Sequence, residues 1–210
     1  MADRTLRSLG KVLLARSTEE MLTLAKRYKI LDADGRIDLR ERAVKLDHSG
    51  LDLSAFVFHR TQFRNSRLTN CSAEGVNFAE CRFIDCYISN EGTTKTSFAK
   101  ARFDGAYLQG TSFGPRTLDM SQTSFNNAEL IDVDFRMGKL LRSSFRGAKL
   151  TDVYFRSALL HDVDFSDAVL RRVSFEKADL QGTDFSSATG IEMDFWGHED
   201  LFPPSSSESN

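Results

Sequence analysis

The sequence predicts a solenoid, a rod of stacked coils whose chain turns a corner every five residues. Three observations lead to this prediction: large apolar side chains recur at a spacing of five, Phe is in excess with 17 copies in 210 residues, and the overall composition is ordinary. Hydrophobic residues make up 40% and charged residues 28%, with a formal net charge of −2, which is typical of one soluble globular domain. No apolar run reaches the roughly 20 residues that a membrane-spanning helix needs.

The repeat explains where the Phe residues fall. Counting in fives from Leu53 gives Phe, Leu or Ile at nearly every step to Leu118, and after two extra residues the count resumes at Phe125 and continues to Phe195. A second position, two residues before each of these, is small or β-branched. Neither a helix, with period 3.6, nor a strand, with period 2, produces this spacing. Stacked coils that point one large and one small side chain inward on each side do produce it.

The individual units resemble a known family. Ala148 to Asp152 and Ala178 to Gly182 each read as a small residue, a polar residue, Leu, and two variable residues. On these residues the chain resembles the pentapeptide-repeat family over about residues 51–196. The resemblance implies an all-β fold, a right-handed quadrilateral β-helix with four units per coil and about seven coils, to which the sequence adds a short α-helical N-terminal cap.

With four units per coil, residues about 20 apart should stack on one side of the rod. One such column is predicted to consist entirely of Phe and to form the structural core. A rod filled in this way has no interior cavity for a substrate, so function is expected on its surface, its ends or its appended segments. The predicted column contains Phe63, Phe83, Phe103, Phe125, Phe145, Phe165 and Phe185.

The ends of the chain do not follow the repeat. Residues 1–16 form a basic amphipathic segment, for which a membrane-surface anchor, an organelle-targeting presequence, a partner-binding helix and a packed helix remain alternatives. Residues 17–50 are predicted to form a helical cap and a turn, with a capping box at Ser17 and Glu20. The β-solenoid is predicted over 51–196 with a two-residue bulge near 119–123, followed by a Ser-rich flexible tail over 197–210.

Residues that could carry chemistry are not grouped as catalysis requires. Cys71, Cys81 and Cys86 follow the spacing of the repeat rather than that of a zinc site, and the His residues are scattered. We therefore expect no catalytic, metal-binding or cofactor-binding residues, and a protein that is not an enzyme. Three Cys and no secretory signal favour a cytoplasmic location.

The outward apolar residues suggest a protein interface. Leu141 and Leu159 are expected to lie diagonally adjacent on one side, and Ile131 and Val169 to share another side with a stacked pair of Tyr residues. Scattered apolar surface residues are also normal, so this is one of two interpretations. The candidate interface consists of Tyr87, Tyr107, Ile131, Leu141, Leu159, Val169 and Trp196.

The first functional hypothesis is a non-enzymatic protein-binding scaffold or adaptor. The alternative is a DNA mimic that binds type II topoisomerase and modulates it or protects it from quinolones, as the resemblance to Qnr-type members of the family implies; this chain is less acidic than such a mimic requires. A second alternative is a membrane-surface or organelle-targeted structural subunit that uses the basic N-terminal segment. The expected partner is a protein, either a topoisomerase or a larger assembly, without direct nucleic-acid binding or a transmembrane segment, and a homodimer is an option.

Overall fold

The computed structural model describes residues 9–89, 97–114 and 118–194, which form a β-solenoid of about seven coils with a helical segment at its N-terminal end. Each strand pairs in parallel with a strand of the next coil, as in Phe63↔Phe83 and Leu130↔Leu150. The predicted fold class is therefore confirmed. The strands are β1 (Ile37–Asp38), β2 (Ala43–Val44), β3 (Asp47–Ser49), β4 (Phe56–Val57), β5 (Gln62–Arg64), β6 (Arg67–Thr69), β7 (Arg82–Ile84), β8 (Tyr87–Ser89), β9 (Tyr107–Gln109), β10 (Glu129–Asp134), β11 (Lys149–Tyr154), β12 (Val169–Arg171) and β13 (Thr189–Ile191).

The strands form parallel sheets along the sides of the rod. One sheet has eight strands in the order β2-β5-β7-β9-β10-β11-β12-β13, a second has β3, β6 and β8, and a third has β1 and β4. Isolated parallel bridges such as Lys139↔Leu159 and Asp164↔Asp184 continue the ladders on the remaining sides. The eight-stranded sheet follows one side of the rod through every coil, over about 34 Å at a strand spacing of about 4.8 Å.

The five-residue period arises from the corners. At the first corner of one coil, the amide of Thr61 donates to the carbonyl of Phe58 (2.8 Å), and Arg60 between them has φ 55°. A turn whose third residue has positive φ is of type II character, and here it directs the chain onto the next side of the rod within four residues. The corner after Phe78 repeats this arrangement with Glu80 at φ 58°. One left-handed residue at each corner therefore sets the length of each side.

The core contains two neighbouring columns of Phe rings. In the first, successive ring centroids lie 4.8–5.2 Å apart with nearly parallel planes. In the second, which begins at Phe113, the spacing is 4.8–5.3 Å. Rings of the two columns meet edge to face, as Phe135 and Phe145 do at 5.8 Å and 83°. Both arrangements are favourable for aromatic pairs. The first column consists of Phe58, Phe78, Phe103, Phe125, Phe145, Phe165 and Phe185.

The predicted Phe column was wrong at its N-terminal end. Phe83 aligns with Leu108, 25 residues later, and Phe103 stacks on Phe78. Phe63 and Phe83 thus belong to the column that continues as Leu108 and Leu130. The reason is one additional unit between Ser89 and Ser97, which adds five residues without adding a side to the coil. Because it keeps the phase of the repeat, counting in fives does not detect it.

The position of the bulge near 119–123 was also wrong. Met120 takes the central inward position, because its amide donates to the carbonyl of Lys139 (2.8 Å), as the amide of Leu140 does to Leu159 (2.9 Å). Leu118 takes the small inward position two residues earlier, and both side chains are fully buried. The two additional residues therefore lie between Phe113 and Leu118. The sequence was ambiguous here because Leu118 and Met120 are both large and apolar, and either could take the central inward position.

The two irregularities follow Ser89 and Gly114, which lie at the same corner of successive coils. A Cβ added to Gly114, where the later one begins, would lie 2.6 Å from the Cβ of Ser89, where the earlier one begins. Gly114 also has φ 65°, a conformation that glycine adopts without steric cost. Close packing of Gly114 against Ser89 therefore requires glycine at this position.

The solenoid begins earlier than predicted, at Ile37 rather than at 51. Ile37 pairs with Phe56 and His48 with Leu68, so residues 37–50 already form a coil instead of belonging to the cap. The early coil escaped detection because its inward residues Leu39 and Val44 are followed by Leu46 and His48, which breaks the regular count.

The N-terminal helices cover this first coil. The cap helix, Thr18–Tyr28, is capped by Ser17, whose side chain accepts from the amide of Glu20 (3.2 Å), and it buries Met21 and Ala25. Residues 9–13 are helical as well, and the carbonyl of Leu13 lies 2.7 Å from Nε2 of His48. Residues 1–8 of the basic segment and the predicted tail over 197–210 lie outside the described residues. Within the described ranges, no helix has the length and apolar composition needed to cross a membrane.

Candidate protein-binding surface

The interior of the rod is filled by side chains, so the outward positions are left to carry the function. Leu150 is 1% exposed and lies in register with Leu130 and Leu170 of the neighbouring coils. Phe145 is completely buried between Phe125 and Phe165. Protein interiors of this kind are packed about as densely as an organic crystal. There is therefore no room for a buried ligand between these side chains.

The three Cys residues are part of this packing. Sγ of Cys81 donates to the carbonyl of Phe58 (2.6 Å), and Sγ of Cys71 to that of Thr69 (3.4 Å). Burial raises the pKa of Cys71 to about 11 and that of Cys81 to about 12, and it also raises the pKa of Cys86. Because the thiolate is the nucleophile and the metal ligand, these thiols are inert at neutral pH. In the part of the chain that the structure describes, no group of His, Cys, Asp or Glu is placed to hold a metal ion.

A shallow groove of about 350 Å³ lies beside the early coils. Its lining includes Ser54, His59 and Glu74. The Ser54 hydroxyl donates to Asp52 (2.6 Å) rather than to His59, so the groove does not assemble a nucleophile and a base.

Many exposed cations of the rod form ion pairs, either with a carboxylate of a neighbouring coil or with one nearby in the same coil. Arg172 and Asp152, one coil apart, approach to 2.6 Å, and the two hydrogen bonds from this guanidinium hold the pKa of Asp152 below its ordinary value. Arg60 does the same for Glu80. Exposed pairs of this kind contribute little to stability, but they cancel the charge of the surface. The paired cations of the solenoid are Arg40, Arg60, Lys100, Arg102, Arg136, Lys139, Arg142, Arg146, Arg156, Arg172 and Lys177.

The outward surface of the eight-stranded sheet differs from the rest of the rod. We call this surface the eight-stranded face, and define it by the residues that flank the buried central residue of each strand. It carries five basic residues and one acidic residue, Glu129, together with several apolar side chains. Its members are Ala43, Lys45, Gln62, Arg64, Arg82, Ile84, Tyr107, Gln109, Glu129, Ile131, Lys149, Thr151, Val169, Arg171 and Thr189.

The basic residues of the eight-stranded face form no close ion pairs within the described residues, although Glu129 is the strand partner of Lys149. All five are exposed, and within the described residues none forms an ion pair within 4.0 Å: Lys45, Arg64, Arg82, Lys149 and Arg171. The first three are clustered on adjacent strands β2, β5 and β7. Like charges on neighbouring strands repel one another, so this end of the face is electrostatically unsatisfied.

Two Tyr rings lie against Arg side chains at this end of the rod. The guanidinium of Arg82 is 4.4 Å from the ring centroid of Tyr107, and that of Arg67 is 5.1 Å from that of Tyr87. The prediction that the two Tyr residues stack on each other was wrong, because Tyr107 is in register with Arg82 and Tyr87 with Ser112. The additional unit after Ser89 shifts the register and places Tyr87 on the neighbouring side.

The remaining candidate residues fall on two sides. Ile131, half-buried, and Val169, 47% exposed, lie on the eight-stranded face with Tyr107. Leu141 and Leu159 lie on another side, where the amide of Leu140 donates to the carbonyl of Leu159 (2.9 Å), which makes the two diagonal neighbours. Trp196 lies outside the described residues.

Sequence reasoning missed the cluster of Lys45, Arg64 and Arg82. Lys45 lies in a coil that was assigned to the cap, and Arg82 was not recognised as the neighbour of Tyr107. A signal was present: these cations have no acidic residue at the equivalent position of the next coil, whereas Arg142, for example, has Asp162. Met137 (50% exposed) and Tyr154 (41% exposed) were also missed as exposed apolar residues.

Comparison with known proteins agrees with this architecture. The sequence profile described as "Pentapeptide repeats (8 copies)" matches residues 52–90, and "Pentapeptide repeat region" matches residues 116–185. A four-sided β-solenoid with a five-residue repeat is what defines this class, and the chain belongs to the pentapeptide-repeat family. No curated protein sequence matches the chain.

Several solved structures are similar in fold. A trypsin-treated variant of QnrB1, a plasmid-mediated fluoroquinolone resistance protein, is 15% identical, with a TM-score of 0.44 over 79% of this chain and 94% of its own. HetL from Nostoc sp. strain PCC 7120, involved in heterocyst differentiation regulation, is 18% identical, with a TM-score of 0.33 over 74% and 87%. AT2G44920 from the Arabidopsis thaliana thylakoid lumen is 18% identical, with a TM-score of 0.26 over 59% and 64%.

Proposed function

We propose that this protein is a non-enzymatic scaffold that binds a protein partner through its eight-stranded face. One observation carries the proposal: this face combines five exposed cations that lack ion-pair partners in the described residues with the exposed side chain of Val169 and the half-buried Tyr107 and Ile131. Charged and apolar groups left unsatisfied on a rigid surface are typical of an interface.

The architecture supports this role because it holds the face rigid. The strands of the face from β5 to β12 are bonded to strands of the coils on either side, and their central residues are buried. A partner would therefore meet side chains already fixed in position, which reduces the entropy lost on binding. Because the interior is packed and the thiols are neutral, binding rather than catalysis is the function that these residues favour.

The N-terminal segment supports the packed-helix interpretation over a membrane anchor. Leu9 is 6% exposed and Val12 is fully buried against the first coil, so these apolar side chains are occupied within the fold. A cytoplasmic location and a homodimer remain predictions.

The surface does not favour the DNA-mimic alternative. A protein that imitates a duplex must present a continuous anionic face, since duplex DNA carries one charge per about 1.7 Å. Arg142, Arg146 and Arg156 instead lie 3.3–3.7 Å from carboxylates of the following coil, which neutralises the most acidic part of the rod. A gyrase supercoiling assay with and without a quinolone tests this alternative, and protection of the enzyme would revive it.

Site-specific photo-crosslinking in cells tests the scaffold proposal. A benzophenone amino acid replaces Ala43, which is exposed on the eight-stranded face, and as a control replaces Ser186, which is exposed on a different side. We expect a discrete protein adduct from position 43 and none from position 186. Equal adducts from both positions, or none from either, would contradict the assignment of the face.

A further inference from the structure

We infer that the partner contacts the eight-stranded face with a short acidic segment of polypeptide, centred on the basic cluster of Lys45, Arg64 and Arg82. This inference rests on the proposed function and specifies the chemistry of the partner. It predicts that carboxylate side chains of the partner take the place that Asp and Glu of neighbouring coils take elsewhere on the rod.

The first argument is the contrast between the cluster and the other cations. Arg142, Arg156 and Arg172 each have a carboxylate one coil away, at 2.6–3.7 Å. Val44 and Phe63 are strand partners on β2 and β5. The residues that follow them, Lys45 and Arg64, therefore lie side by side on adjacent strands. An anion bound between these two cations would reduce their mutual repulsion. This relief of repulsion favours the binding of an acidic ligand, because no carboxylate among the described residues provides it.

The second argument concerns shape. A side of the rod presents about three residues per strand, or about 10 Å, and the face is about 34 Å long. This strip, on the order of 350 Å², is well below the roughly 800 Å² that a globular partner covers in a standard interface. One extended segment of polypeptide, about 10 Å across with its side chains, fits the strip along the rod axis.

Charge density distinguishes an acidic peptide from nucleic acid. Five cations are distributed along about 34 Å, whereas duplex DNA presents on the order of 20 phosphates over that length. Glu129 lies in the middle of the face, and Asp132 lies exposed at its border. A continuous polyanion would be repelled by these carboxylates, but a peptide can place apolar residues beside them, where Ile131 and Val169 are available.

The Arg–Tyr contact prepares the cluster for carboxylates. The guanidinium of Arg82 lies 4.4 Å from the ring of Tyr107, and the Tyr107 hydroxyl donates to the side-chain oxygen of Gln109 (3.0 Å). The ring is thus anchored and holds the guanidinium in a defined position. A guanidinium fixed in this way loses less entropy when it binds a carboxylate with two hydrogen bonds.

Fluorescence anisotropy with a labelled polyglutamate peptide and the full-length protein tests the inference. The test variant combines Arg64→Gln with Arg82→Gln. The control combines Arg142→Gln with Arg156→Gln, which removes the same charge from other sides of the rod. At low salt we expect the wild type to bind the peptide saturably. The test variant should raise the dissociation constant by more than about tenfold, since each cation contributes roughly fivefold. The control should raise it by less than about twofold. Circular dichroism confirms that each variant is folded.

Competitors identify the source of the negative charge. An oligothymidylate of equal net charge and vesicles of anionic phospholipid are expected to displace the peptide less well than unlabelled polyglutamate does. Tighter binding of either, equal weakening by the two double variants, or absence of saturable peptide binding would overturn the inference. If photo-crosslinking at position 43 nevertheless captures a protein, the scaffold proposal stands and only the acidic segment is refuted.

Discussion

Removal of one ring from the middle of the Phe column is expected to destabilise the rod severely. Phe145 is fully buried, stacks on Phe125 and Phe165 with centroids 4.8 and 4.9 Å away, and meets Phe135 and Phe155 edge to face. A Phe→Ala substitution at such a position costs about 3–5 kcal/mol, the sum of lost transfer free energy and the cavity left behind. Neighbouring coils cannot close this cavity, because parallel hydrogen bonds fix their spacing.

Urea denaturation followed by circular dichroism measures this loss as the difference in free energy of unfolding between the wild type and Phe145→Ala. For a chain of this size, such a loss lowers the melting temperature by about 10 °C. Phe145→Leu serves as the matched variant, because the adjacent column accepts Leu at the equivalent position of every coil from Leu108 to Leu170, and it should cost less than about 2 kcal/mol. A loss below about 1 kcal/mol for Phe145→Ala would refute the reasoning, since it would mean that the ring is not enclosed.

Three further predictions concern register, packing and pH. The pair Arg82→Cys and Tyr107→Cys, whose residues are strand partners, should form a disulfide on mild oxidation, whereas Arg82→Cys with Arg102→Cys should not; mobility on non-reducing gels decides this. Gly114→Ala should lower the free energy of unfolding by about 2–3 kcal/mol in urea denaturation, because its Cβ would lie 2.6 Å from a Cβ of the preceding coil and φ is 65°. Burial raises the pKa of Cys81 to about 12, so between about pH 8.5 and 12 the unfolded chain binds fewer protons than the folded chain and stability falls as pH rises. Cys81→Ala should therefore reduce the slope of unfolding free energy against pH by up to about 1.4 kcal/mol per pH unit, and an unchanged slope would contradict the burial of this thiol.

The repeat predicted the fold because one apolar residue in five is a strong and redundant signal. From Phe125 to Phe185 the chain has no insertion, and there the predicted columns agree with the structure. The errors occur where the count stays in phase but the geometry changes. The unit after Ser89 adds five residues without adding a side, and near Leu118 two inward residues compete for one central position.

The surface was harder to predict because it depends on register between coils. A shift of one unit moved Tyr87 to the side next to that of Tyr107 and brought Arg82 beside Tyr107 instead. The unpaired state of Arg64 likewise becomes visible only when its neighbours on adjacent strands are known. Sequence periodicity determines which residues point outward, but inter-coil hydrogen bonds determine which outward residues meet.

The most direct test of the central claim is the affinity of the captured partner for charge-reversed variants of the rod. The dissociation constant is measured by calorimetry for the wild type, for Arg64→Glu with Arg82→Glu, and for Arg142→Glu with Arg156→Glu as the control. We predict that reversal on the eight-stranded face weakens binding by more than about a hundredfold, on the basis of about 1.4 kcal/mol or more for each reversed charge, while the control changes it less than about threefold. Equal affinity of all three proteins would contradict the claim that this face binds the partner.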